Sequence, residues 1–162
     1  MSGSRKVLII GGLALAAVGM LYGLYYALFI EHQTLDRMGA SLTAAFVADA
    51  TGNMTQAQAA LQEYGDTKYN YVRQVDAHSH WGGLAMLMIV LGVVFDRVAF
   101  SEHARRWLAL TLLLGSILFP LAVLLQAATH GGVIASALAA AGAALVTIAL
   151  AGVAGGFVRH TI

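Results

Sequence analysis

The chain contains no cysteine in its 162 residues. That excludes disulfides, thiolate zinc and iron–sulfur sites, and haem attached through Cys-x-x-Cys-His. Any bound metal or haem must use His, Met, Asp, Glu or Tyr. Proline occurs once, at Pro120. Charge is also scarce: 10% of the residues are Asp, Glu, Lys or Arg, against about 25% in a soluble domain. A net charge of +1 gives no broad basic field, so nucleic acid is not an expected partner.

What fills the chain instead is apolar: 59% of the residues, with a mean hydropathy of +0.76. The composition predicts an all-α integral membrane protein of one domain, 1–162, with a lipid bilayer facing most of its surface. Apolar runs place spanning helices at 7–30, 77–97, 107–127 and 132–158, a four-transmembrane-helix bundle. The first run is longer than the usual signal core of about 7–15 residues and is expected to be retained. Tyr22, Tyr25 and Tyr26 near its far end resemble an interfacial aromatic belt. Pro120 falls in mid-helix and removes one backbone hydrogen bond. The fourth run is rich in Ala and Gly, which lets helices approach closely.

Residues 31–76 are different material. They hold six acids and three bases (Arg37, Lys68, Arg73). Two short amphipathic helices are expected there. Leu35, Met38, Leu42, Ala45 and Phe46 recur at helical spacing. Thr51-Gly52-Asn53 ends that helix, and Asn53 with Gln56 starts a second one through about Tyr64. Gly65 is expected to interrupt, with Asp66 or Thr67 capping the helix that continues onward. Asn53-Met54-Thr55 also reads as a glycosylation sequon, without further sign of a eukaryotic secretory route. The other six bases flank the opposite ends of the apolar runs. The positive-inside rule then puts both termini in the cytoplasm of a bacterial inner membrane and segment 31–76 in the periplasm.

The stretch that invites a functional reading is Asp76-Ala77-His78-Ser79-His80-Trp81-Gly82-Gly83. Its following apolar run, Trp81 to Phe95, has only 15 residues, whereas a crossing needs about 20. His78 and His80 are therefore expected at the hydrocarbon edge, where imidazoles need partners. His32 and His130 fall at the same predicted outer level. His78 and His80 differ by about 200° around a regular helix, so they should have different roles. Asp76 shares a face with His80 and could orient its ring, as carboxylates do for metal-bound histidine. Gly82 and Gly83 leave room for a flat macrocycle or for a neighbouring helix. His103 and His160 lie in basic surroundings and are expected to be solvated.

Three chemistries fit these residues. A b-type haem would take His78 or His80 with His130 as axial ligands, walled by Trp81, Met86, Met88 or Phe119. A copper, zinc or iron site could draw on His32, Asp36, Asp76, His78, His80 and His130. A quinone could be held by histidine, Tyr69, Tyr71 and Gln126. The bland alternative is that interfacial histidines cap helix ends. No Gly-x-Ser-x-Gly and no phosphate-cradling loop occurs.

The stretch Asp76 to Met86 resembles the His-x-His helix start of small multi-helix membrane proteins related to subunit I of haem-copper oxidases, and of NnrS-like haem proteins. Gly115-Ser116-Ile117-Leu118-Phe119-Pro120-Leu121 has a similar flavour. The resemblance implies b-haem ligation at His78 or His80. Four spans are too few for an oxidase, so oxygen or nitric oxide reduction is not implied. The function expected from the sequence is a membrane electron-transfer subunit, with quinol or membrane and periplasmic redox subunits as partners. The alternative is a cofactor-free accessory or assembly subunit of a larger membrane complex.

Overall fold

The computed structural model describes residues 2–161. Among them the chain forms five α-helices: α1 Gly3–Phe29, α2 Glu31–Ala50, α3 Met54–Val94, α4 Glu102–Ala128 and α5 Val133–Thr161. A single 3-10 turn, Phe95–Arg97, follows α3. Four helical stretches are long and apolar enough to cross a membrane: Gly3–Phe29, Met54–Arg97, Glu102–Ala128 and Val133–Arg159.

The second of these differs from expectation. It takes in the whole of one 41-residue helix, about 60 Å long at 1.5 Å per residue, whose apolar run from Trp81 onward is only the last part. Asn53 starts it as read from the sequence: its side-chain oxygen accepts from Gln56 N–H at 3.2 Å. Such a cap contributes about 1 kcal/mol. Gly65 does not interrupt. A helix-interior glycine costs about 1 kcal/mol, and α3 offsets this by packing against α2 along its first half. Ala45, Ala48, Ala57 and Ala60 are buried in that seam, and Arg37 Nε donates to Glu63 Oε1 at 3.0 Å across it. Segment 31–76 is thus a helical hairpin, α2 against the start of α3, turning at Gly52 with φ +75°.

Only Ile30 separates α1 from α2. Its backbone leaves the helical region at φ −122°, ψ −44°, and its N–H still bonds the Tyr26 carbonyl at 2.9 Å. The path α1–α2 therefore runs antiparallel to α3 for almost its whole length. Glycines make the lower seam close. A Cβ on Gly12 would lie 2.9 Å from the Ala85 carbonyl oxygen, and one on Gly19 would lie 3.0 Å from Trp81 Cβ. Leu8, Leu15, Trp81, Ala85 and Met88 fill the space between.

α4 completes a three-helix core with α1 and α3. α5 packs along α4 and the turn at Phe95–Phe100, apart from α1 and α3. The expected four-helix bundle is in this respect an open arrangement, three helices with a fourth apolar helix laid on one side. The α4–α5 seam is tight: a Cβ on Gly142 would stand 2.6 Å from Phe119 N and 2.8 Å from its Cα. Pro120 is buried here and α4 runs on through it.

At the end opposite the hairpin, a polar clamp ties three elements. Glu102 accepts from Ser4 N–H at 2.9 Å and from Ser4 Oγ at 3.1 Å, which satisfies donors at the start of α1 with a carboxylate from α4. Arg105 pairs with Glu102 at 3.0 Å, and Arg5 with Asp96 at 3.4 Å.

Candidate functional site

His78 faces α1. Its Nδ1 donates to the Gly19 carbonyl at 3.0 Å; a carbonyl can only accept, so the proton sits on Nδ1. The imidazole occupies the notch left by Gly23. A Cβ there would lie 2.4 Å from His78 Cε1 and 3.1 Å from Nε2. His78 is thereby the partner of an α1 backbone group, and both ring nitrogens point into a helix seam.

His80 faces α4, its ring 4.5 Å from that of Phe119. The two histidines diverge, as 200° of helix rotation requires. Asp76 does not orient His80. It pairs with Arg73 at 3.6 Å instead, because Arg73 is one turn back on the same face.

His130 is exposed in the α4–α5 turn with φ +47°. It lies eleven residues past Phe119, about 15 Å farther along the helix axis. Two axial imidazole nitrogens must stand about 4 Å apart, twice a metal–imidazole bond of about 2 Å. His78 or His80 with His130 does not fit that requirement as arranged. The outer ends of the apolar runs, expected at one level, are not at one level. In the fold, Tyr69, not His80, is level with the turn: its hydroxyl lies 3.1 Å from where a Gly131 Cβ would be.

His32 and Asp36 form the expected i, i+4 pair at 3.4 Å, but their side chains are 88% and 69% exposed. Among the described residues no group of three or more His, Asp or Glu side chains converges as a metal site would need. His103 accepts from Trp107 Nε1 at 3.0 Å. The His160 side chain lies outside the described residues. The residues named for a quinone also separate. Gln126 donates to Ser136 at 3.2 Å, Tyr71 packs on Tyr26, and Tyr69 lies under the Arg73 guanidinium.

What the fold does assemble is a polar crevice at the hairpin end. Three adjoining cavities of about 300, 440 and 360 Å³ all have Asn70 in their walls. Thr34, Arg37, Thr67 and Gln74 are polar groups of the first, and Glu63, Asp66 and the exposed His130 join the walls of the second. The Asn70 Oδ1 atom is buried and has no hydrogen-bond partner. Tyr22 reaches Gln74 across the crevice at 3.4 Å. Of the crevice walls only His130 is a candidate ligand from the sequence; Asn70 and Gln74, four apart on one face of α3, are not.

These features define a class, an all-helical chain with four apolar crossing-length helices and a polar helical hairpin. Compared with protein-family models, with curated proteins and with solved structures, the chain has no match.

Proposed function

We propose that the chain is a membrane-embedded accessory subunit of a larger membrane complex in the bacterial inner membrane. Both termini face the cytoplasm, and the α2–α3 hairpin stands in the periplasm, about 30 Å proud of the hydrocarbon. The six-to-three split of basic residues between the two ends supports this orientation.

One observation carries the reading. Gly12, Gly19, Gly23, Gly92, Gly115 and Gly142 each have a neighbouring helix where a side chain would be. Gly82 and Gly83 have nothing within 4 Å of that position. Each costs α3 about 1 kcal/mol relative to alanine, with no return inside this chain. Ser79, Gly82, Gly83 and Met86 share an exposed face of α3, the small-residue surface that a helix from another chain packs against in lipid. Ala151, Ala154 and Gly155 leave a similar face on α5.

The test uses the absence of native cysteine. Gly83→Cys, alkylated with a benzophenone maleimide and irradiated in native membranes, is expected to crosslink to another polypeptide. Gly83→Leu is expected to leave helix content unchanged and to reduce the native size on gel filtration in mild detergent. If Gly83→Leu migrates as wild type and Gly83→Cys yields no adduct, the subunit reading fails. The electron-transfer version of the reading, with b-type haem at His80 and a second ligand from the partner, predicts a Soret band in that same native complex, shifted by dithionite and lost in His80→Ala. A copper or zinc version predicts metal that co-purifies with the native complex and is lost in His32→Ala.

A further inference from the structure

We propose that the cleft between α1 and α4 binds a single-tailed amphiphile whose head is uncharged and bears hydroxyl groups, the chemistry of an isoprenoid quinol. The proposal rests on the membrane location of α1 and α4, and not on the existence of a partner subunit.

The tail site is a groove. One apolar cavity of about 370 Å³ is lined by Ala14, Val18, Leu113, Ile117 and Leu121, with Trp81 as its floor. A second, of about 350 Å³, continues it toward Lys6 and shares Gly11, Ala14 and Leu113. The small Gly11 and Ala14 on α1, against Leu113 and Ile117 on α4, leave the groove its space. Its upper end at Val18 and Leu121 leads, one turn on, to Tyr22 and Leu124 of the crevice. The Tyr22 and Trp81 rings meet edge to face at 5.4 Å and join the two compartments.

The head site decides the chemistry. Among the described residues, the chamber that continues the groove is lined by no charged side chain; its polar groups are Tyr22, Asn70 and Gln74. A charged head there would lose its hydration with no opposite charge to meet. Farther out, Arg37 is the only Lys or Arg among the described residues of the crevice walls, and Glu63 already binds it. Glu63 and Asp66 would repel a phosphate. Buried Asn70 Oδ1 lacks a donor, and a head hydroxyl supplies one.

Trp81 is a built-in reporter. In a Trp107→Phe background it is the sole tryptophan, since the chain has two. The probes are a hydroquinone and a phosphocholine carrying the same dibrominated undecyl tail, because bromine quenches indole on contact. Purified protein in maltoside detergent is titrated with each. The hydroquinone is expected to quench saturably and to bind about tenfold more tightly than the phosphocholine. Asn70→Leu should erase that difference. Ala14→Phe fills the groove at an exposed position and should abolish saturation for both; Ile117→Phe serves the same purpose from α4 if Ala14→Phe loses helix content. Equal affinity for the two heads overturns the head assignment. Linear quenching in every variant, or saturation that survives both groove substitutions, overturns the site. A chain that elutes as a monomer can still give the expected result, so failure of the subunit reading is scored separately.

Discussion

The His78–Gly23 contact gives the sharpest stability prediction. Alanine at Gly23 puts a Cβ 2.4 Å from His78 Cε1 and 2.7 Å from Nδ1, so the ring must leave its notch. Displacing it forfeits the 3.0 Å bond to the Gly19 carbonyl, worth about 1 kcal/mol. Forcing a methyl group into a packed seam adds about 1–3 kcal/mol. Replacing glycine by alanine in a helix returns about 1 kcal/mol. The net expectation for Gly23→Ala is a loss of about 2 kcal/mol. In a His78→Ala background the clash is gone and only the helical gain is left, so the same substitution should stabilise by up to about 1 kcal/mol. The coupling between the two positions is then about 2–3 kcal/mol, at the upper end for residues in contact. Reversible unfolding in mixed micelles, followed by far-ultraviolet circular dichroism on all four species, measures it. If Gly23→Ala has the same effect with and without His78, the imidazole does not occupy that notch, and it regains its freedom to act as a ligand.

Two further predictions concern the other seams. Gly142→Ala drives a methyl group against the α4 backbone at Phe119, which cannot yield as a side-chain tip can; it should cost more than Gly23→Ala, read as the larger drop in thermal midpoint. Glu102→Ala leaves the Ser4 hydroxyl without its acceptor in a fully buried residue. A loss of about 1–3 kcal/mol is expected, with amide exchange rising at Ser4 before it rises in the α3–α4 core.

The apolar helices were legible because a run of about 20 apolar residues has few other uses. The end of one was not. The apolar run stops near Trp81, and the sequence reading took that shortness as a sign of a bound partner. In the fold α3 simply continues, since polar residues on a helix covered by α2 keep every backbone group bonded. The cap at Asn53 was readable from local chemistry alone. Gly65 was misjudged because helix propensity is a small term beside packing. The 200° divergence of His78 and His80 followed from helix geometry, and their neighbours differ accordingly. The grouping with His130 did not follow, because order along the membrane normal depends on the register of α3 against α4. That register is set by side chains distant in sequence, such as Phe119 beside His80 and Leu124 beside Gln74.

The glycines carry information that the histidines obscured. On α1, Gly12, Gly19 and Gly23 meet Ala85, Trp81 and His78 in turn, so a descending series on α3 answers an ascending one on α1. His78 is one rung of that series, the only one where a polar ring meets a backbone carbonyl. A half-buried imidazole is retained there because the Gly19 oxygen and the Gly23 notch together satisfy it. By the same logic Gly82 and Gly83, immediately after the His-x-His stretch, are rungs without an opposing helix. The stretch thus has two sides: His78 and Trp81 close the α1 seam, and Trp81 also floors the α1–α4 groove, while Ser79, Gly82 and Gly83 turn outward. A substitution at His78 should therefore disturb folding, whereas one at Gly83 should disturb assembly alone. Measuring unfolding, Trp81 quenching and native size on that pair of variants separates the two roles, and an effect of Gly83→Leu on quenching would mean that the two sides are not independent.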